Sequence, residues 1–262
     1  MTIHPLLKPL FLSRLFNTFI ASFPSVQVKQ MTQPAMPRPA SKLRTVFLDL
    51  DDTLIDTSAR HYAVFSSILH AYGISNTLNK EEFWEDKRQG KRNSDLISES
   101  LPPRLLRQFK NDWIRTIEAR ACLTYDTRIP GCAEVLSALY QEVDLVLVTL
   151  RNSKENLEWE LRRLELAGFF KEVLVGSPLH LRTKTPLILP SIDPSVDKEE
   201  YMIVGDTEID ILTGRQLGIV TVAATYGIRS RAILRALNPD ICLKNICDIL
   251  DIIPCSGTPR GR

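Results

Sequence analysis

The stretch Val46-Phe47-Leu48-Asp49-Leu50-Asp51-Asp52-Thr53-Leu54-Ile55 constrains this chain more than any other. Its apolar start reads as a buried strand that ends in two carboxylates two positions apart. Side chains alternate between the faces of a strand, so Asp49 and Asp51 point the same way only where the chain leaves the sheet. Two like charges converging there either raise one pKa or draw in a cation, and oxygen-rich acidic clusters suit Mg²⁺. The plainer reading is a surface turn in which Asp and Thr cap the following helix.

The rest of the chain repeats the strand signal. Val143 to Thr149, Tyr201 to Gly205 and Ile219 to Ala223 are apolar runs followed by turns and helical patterns, and Glu172 to Val175 reads as a shorter strand. Helices are expected over Cys132 to Gln141, over Glu155 to Leu166 with Asn152 and Glu155 as a capping box, and over Ile209 to Leu217, stopped by Gly218. Such alternation predicts an α/β fold, a doubly wound parallel sheet with helices on both faces. Ligands in these sheets sit at the carboxyl ends of strands, where Asp49, Thr149 and Asp206 fall. The alternation breaks between Ser58 and Leu123. There only helical patterns occur, over Ala59 to Tyr72, Glu81 to Gln89 and Arg104 to Ala121 after Pro102-Pro103. This predicts a core of residues 42–57 plus 124–253 with an inserted all-helical cap at 58–123, a lid hinged at Ile55 to Thr57 and Thr124 to Gly131.

Four pieces follow in order: Asp49-Leu50-Asp51-Asp52-Thr53, Val148-Thr149, Lys184, and Gly205-Asp206-Thr207-Glu208-Ile209-Asp210. Together they resemble the haloacid dehalogenase superfamily, specifically its phosphatases with a helical cap inserted after the first motif. The resemblance covers roughly Lys42 to Ile253. It implies Asp49 as a nucleophile that forms an aspartyl-phosphate and Asp51 as general acid, then base. Mg²⁺ would be held by Asp49, the Asp51 main-chain carbonyl and Asp206, leaving the Asp51 side chain free for proton work. Thr149 would donate to a phosphate oxygen and Lys184 would place a positive charge on the transferring group. Arg182 stands two residues from Lys184, but the family lysine precedes a proline-containing helix start, and Pro186 follows here. Asp210 would orient the lysine or a metal-bound water.

Thr53 is counted with the substrate-binding groups of the first motif. Asp52 stands where the family usually has Gly, and Asp tolerates turn conformations. Arg151 and Asn152 replace the small residues often found after the second motif, so both are expected to project into the site and contact substrate. A dehalogenase would lack Asp51 and needs no metal, and a non-catalytic regulator would have lost a nucleophile or ligand. A phosphomutase keeps the whole constellation. The charged stretch Lys87 to Asn93 in the cap could receive a second anionic group, as phosphoglycolate would present, or be a solvated helix face.

Composition fits this reading. With 262 residues, 44% hydrophobic, 24% charged and a net charge of +2, the chain is an ordinary globular protein with no case for a nucleic-acid partner; a small phosphorylated metabolite is the expected partner, with a monomer or homodimer as the assembly. Five cysteines without a C-x-x-C pair suit reduced thiols and a cytoplasmic setting. The first 48 residues hold no acid. Within them Leu12, Leu15, Phe16, Phe19, Ile20 and Phe23 share one helical face, too short and too interrupted by Lys8 and Arg14 for stable membrane insertion. Residues 1–41 are therefore expected to be an organelle-targeting segment or a disordered upstream extension, and 254–262 a disordered tail.

Overall fold

The computed structural model describes residues 43–97 and 101–253; the expectations for the amino-terminal segment and the carboxyl tail lie outside these. The first strand, β1 (Thr45–Leu48), is buried on both faces. Val46 and Leu48 pack into one apolar layer with Leu136, Leu139, Leu157 and Leu161, whereas Phe47 enters a second layer with Ile188, Ile203 and Leu217. Burial on both sides is the property that a continuous apolar run encodes in a parallel sheet.

A hairpin-like pair, β2 (Ile55–Asp56) and β3 (Thr127–Arg128), brackets the inserted helices. These are α1 (Ser58–Ala71), α2 (Lys80–Arg88), α3 (Asn93–Ile97), α4 (Pro103–Thr116) and α5 (Arg120–Leu123). They carry an apolar cluster of their own, with Val64, Phe65, Leu69, Phe83 and Phe109 at its centre. The single helix expected over Arg104 to Ala121 is two, broken where Glu118 turns toward the core. The chain then alternates through α6 (Cys132–Tyr140), β4 (Asp144–Leu150), α7 (Lys154–Arg163), β5 (Glu172–Gly176), α8 (Thr185–Ile188), β6 (Tyr201–Gly205), α9 (Glu208–Leu217), β7 (Val220–Ala224), α10 (Arg231–Ala236), β8 (Ile241–Leu243) and α11 (Ile249–Ile252).

The strands form one six-stranded sheet, ordered β5-β4-β1-β6-β7-β8 and parallel throughout. The fold is the α/β, doubly wound type with an inserted helical cap. Strand order reverses around β1, so the crevice outside its carboxyl end is the place where such a sheet binds ligands. No helix among the described residues is long and apolar enough to cross a membrane.

The insertion is fastened to the core at two places. On one side the Arg88 guanidinium donates to the carbonyl oxygens of Thr225, Tyr226 and Gly227, Ser230 N–H donates to Arg88 O at 2.8 Å, and Arg229 Nη1 donates to Lys87 O at 3.0 Å. On the other, the Glu118 carboxylate accepts from the N–H groups of Asn152 and Ser153 at 2.9 and 2.8 Å. That contact replaces the expected Asn152–Glu155 capping box. Ser153 is the N-cap of α7, and a carboxylate 34 positions earlier in the chain takes the free N–H groups ahead of it.

Candidate active site

Register brings Asp49 and Asp206 to one edge. Leu48 pairs with Leu147 on one side and Val204 on the other, so Asp49, one step past the end of β1, stands between the chains that carry Thr149 and Asp206. Asp49 is buried, with its N–H donating to Val204 O at 3.0 Å. Lys184, buried at the start of α8, lies 2.6 Å from Asp49 Oδ1 and 2.7 Å from Asp210 Oδ1. Its own N–H donates to Thr213 Oγ1 on α9, which fixes where the short helix begins. Arg182 is exposed. The second oxygen of Asp210 accepts from Thr207 N–H and Oγ1, closing the reciprocal cap of α9. Gly205 is required here, because a Cβ would run into the Asp210 carboxylate.

The carboxylates of Asp49, Asp206 and Asp210 offer oxygens within 4.8 Å of one another, all buried. Burial above all pushes Asp49 up to about 7; Lys184 opposes this, while Asp210 and Asp51 add to it. Asp206 is driven well above the carboxylate range, by burial first and then by Asp52, Asp49 and Asp210. Its own partners are a neutral N–H and a hydroxyl: Ile228 N–H donates to Oδ2 at 2.6 Å, and Thr53 Oγ1 reaches Oδ1 at 3.5 Å. Lys184 is held above its ordinary value, since Asp210 and Asp49 outweigh the cost of burying its charge. Three buried acids sharing one ammonium are the donor set that a hard divalent cation fits, and Mg²⁺ suits it by chemistry. Thr149 Oγ1 is buried and has no partner, a donor left open at the strand end.

Asp51 is placed differently. Both of its oxygens are held by guanidinium groups: Arg151 Nε and Nη2 each lie at 2.6 Å, and Arg60 Nη2 lies at 2.5 Å. Burial opposes its charge, yet Arg151 and Arg60 outweigh that and hold Asp51 below the usual carboxylate range. Its side chain is therefore engaged rather than free, and it stands apart from the three clustered carboxylates. Arg151 and Asn152 also differ from expectation. Arg151 is buried against Asp51 and Glu160, and Asn152 donates to Glu118 and accepts from Ser177, so both are tied to protein groups. Asp52 adopts φ 56° in the left-handed region, the reason glycine suits that position, and its carboxylate accepts from Thr57 N–H and Oγ1.

A family model described as haloacid dehalogenase-like hydrolase matches residues 46–224, well over half of the chain. The chain belongs to the haloacid dehalogenase-like hydrolases. Among curated relatives it is 26% identical over 220 residues to a phosphoglycolate phosphatase from Synechococcus elongatus, covering 80% of this chain and 97% of that protein. It is equally 26% identical over 224 residues to the pyrophosphatase PpaX from Halalkalibacterium halodurans, covering 81% and 97%. Among solved structures, a haloacid dehalogenase-like family hydrolase from Streptococcus pneumoniae superposes with a TM-score of 0.67 at 21% identity, over 80% and 98% of the two chains. The hydrolase YfnB from Bacillus subtilis, solved bound to magnesium, gives 0.62 at 20% identity over 82% and 100%.

Sequence reasoning placed Arg151 in this haloacid dehalogenase-like site, but against substrate, and did not reach Arg60, Asp126 or Glu160 behind Asp51. Arg60, in the first turn of α1, also lies 3.2 Å from Asp126, and Arg151 lies 3.1 Å from Glu160. Asp126 and Glu160 are buried and adjacent, with oxygens that find no donor as long as both are ionised. A proton shared between them would satisfy Glu160 and one oxygen of Asp126. Burial, then the hydrogen bond and charge of Glu160, push Asp126 up to about 9 against the pull of Arg60. One signal was present in the sequence: a cation in the first turn of a helix with no acid beside it opposes the helix dipole and so calls for a partner elsewhere.

Proposed function

We propose that this enzyme hydrolyses a small-molecule phosphate monoester through an aspartyl-phosphate on Asp49. The observation that carries the reading is the gathering of Asp49, Lys184, Asp206 and Asp210 in one buried cluster beside the open Thr149 hydroxyl. Asp49 attacks phosphorus while the bond to the leaving oxygen breaks, and Asp51, ionised in its guanidinium fork, takes a proton from solvent at the acceptor position the two arginines leave open and gives it to that oxygen. Asp51 then takes a proton from water as it attacks phosphorus, and the Asp49 oxygen is released with orthophosphate. Lys184 and Thr149 neutralise and hold the phosphoryl oxygens. Asp49, Asp206 and the Asp51 carbonyl would hold Mg²⁺, with Asp210 behind them; bound there, it supplies charge neutralisation for phosphate and carboxylates. The inserted helices act as the lid.

The substrate carries a second anionic group, as the substrates named for the two curated relatives do. Within Lys87 to Asn93 only Lys87 suits its reception. Arg88 is committed to three carbonyl oxygens, while Lys91 and Arg92 are solvent-facing and paired with Asp86 and Asp95. Lys87 is buried, donates to Asn93 Oδ1 at 3.0 Å, and is pushed down to about 8, chiefly by burial. A panel of metabolite phosphates, including phosphoglycolate, pyrophosphate and sugar phosphates, assayed with and without Mg²⁺ tests the reading. Metal-dependent release of phosphate that vanishes in Asp49→Asn is expected; equal turnover in that variant, or none with any ester, would refute it.

A further inference from the structure

Arg60, Asp126, Glu160 and Arg151 make a circuit that closes on Asp51. From Asp51 the contacts run to Arg60 at 2.5 Å, on to Asp126 at 3.2 Å, across the facing carboxyl groups to Glu160, and through Arg151 back to Asp51 at 2.6 Å. Every member but Asp51 is buried, whereas the Asp51 side chain is 27% exposed and is the one that meets the crevice. We propose that Arg60 and Arg151, each backed by its own acid, are positioning residues for Asp51, and that they tie the aim of its carboxylate to the seat of the inserted helices. This rests on the role given to Asp51 above.

The geometry of the fork carries the proposal. A carboxylate has about four acceptor positions, and three of those on Asp51 are filled by N–H groups of the two arginines. Arg151 grips it in the bidentate manner that fixes the plane of a carboxylate as well as its place. The remaining position is the one through which a proton passes to or from a ligand in the crevice. Stability alone does not account for the arrangement, because a buried ionic ring is commonly no better than well-packed apolar side chains of the same volume.

The ring also spans the inserted helices and the core. Arg60 belongs to α1 and donates to Ile117 O just past α4, so it travels with the insertion. Asp126 lies one residue before β3 in the return linker, Glu160 on α7 of the core, and Arg151 just past β4. Displacing the insertion therefore removes one of the two guanidinium groups from Asp51 and leaves its plane set by Arg151 alone.

The test compares aryl phosphates of similar shape whose leaving groups differ in their need for a proton. For each protein, kcat/KM is measured with 4-nitrophenyl phosphate and with phenyl phosphate in the presence of Mg²⁺, and their ratio is taken. The ratio is independent of the fraction of folded enzyme, so a partly unfolded variant remains informative. Asp51→Asn sets the scale: removing a general acid costs about 10²–10⁴-fold where protonation matters, and phenyl phosphate must suffer more than 4-nitrophenyl phosphate. Arg151→Met and Arg60→Met are expected to shift the ratio in the same direction by about tenfold or more, with Arg151→Lys and Arg60→Lys, which keep charge but lose the fork, in between. In an Asp51→Asn background the arginine substitutions should shift the ratio no further. A ratio unchanged in all four arginine variants, or shifted equally with and without Asp51, overturns the positioning role. If Asp51→Asn itself leaves the ratio unchanged, the acid role of Asp51 fails instead.

Discussion

Asp49 and Asp51 leave the same strand two residues apart and enter opposite electrostatic surroundings. Asp49 meets one ammonium and two further carboxylates in a buried pocket, and is pushed up to about 7. Asp51 meets two guanidinium groups and is held below the carboxylate range. The backbone turns tightly as it leaves them, with Leu54 and Ile55 N–H both returning to Leu50 O. Two identical side chains thus acquire separate surroundings, the first facing one ammonium among three acids and the second two guanidinium groups. Division of labour between carboxylates arises in this way wherever environment, rather than residue type, sets proton affinity.

Breaking the Asp49 side should have the larger effect. On the roles proposed for Asp49, Asp49→Asn takes away nucleophile and metal ligand together, and is expected to leave phosphate release at the level of an enzyme-free control. Asp51→Asn should cost about 10²–10⁴-fold with an alkyl phosphate, in the range of a lost general acid. Lys184→Met should cost about 10²–10³-fold in kcat, the usual loss for one charge-stabilising donor, and leaves Asp49 and Asp210 buried without their ammonium. An Asp51→Asn enzyme less active than Asp49→Asn would invert the assignment.

How much of this contrast is legible in the sequence depends on the distance over which it is encoded. Sheet, helices and catalytic edge follow from apolar runs a few residues long, and β6 coincides with its expected span. Pro186 distinguishes Lys184 from Arg182, and Lys184 is the buried one of the two. The ring around Asp51 joins residues up to 100 positions apart, and its Arg60, Asp126 and Glu160 look like solvated helix or loop charges to any local pattern. Glu118 is hidden for the same reason, since its partners at Asn152 and Ser153 belong to another helix. Short elements also escape: β8 has three residues and α3 five, fewer than a periodicity needs to show itself.

A middle-sized effect sharpens the acidic half. With no cation bound, Asp49 and Asp206 take up protons on folding because their pKa values are raised, so that part of the stability is lost as pH rises from about 4 through 7. Mg²⁺ needs the ionised form, so its stabilisation should grow in the same window. At a hundredfold excess over Kd it contributes about 2.7 kcal/mol, or roughly 5–10 °C in Tm for a chain of this size. A thermal-melt series should therefore show a larger Mg²⁺ shift at pH 8 than at pH 6, and Asp206→Asn should abolish the difference.

The last effect belongs to the basic half and is read in stability alone, with no change in activity required. Asp126 is raised to about 9 in the folded chain, against about 3.8 when unfolded. Between those values the folded state binds a proton that the unfolded state does not, so this group's contribution falls as pH rises and is flat beyond 9. Asp126→Asn keeps a neutral, hydrogen-bonding side chain between Arg60 and Glu160 and removes the titration. Denaturant unfolding of both proteins at pH 5, 7 and 8.5 should show the variant gaining on the wild type with each step, by no more than about 1.4 kcal/mol per pH unit for one proton. The carboxylates of the Asp49 pocket titrate alike in both proteins and cancel from the difference. A constant offset at all three pH values would mean that Asp126 is ionised beside Glu160, and that the two arginines rather than a shared proton hold these acids together.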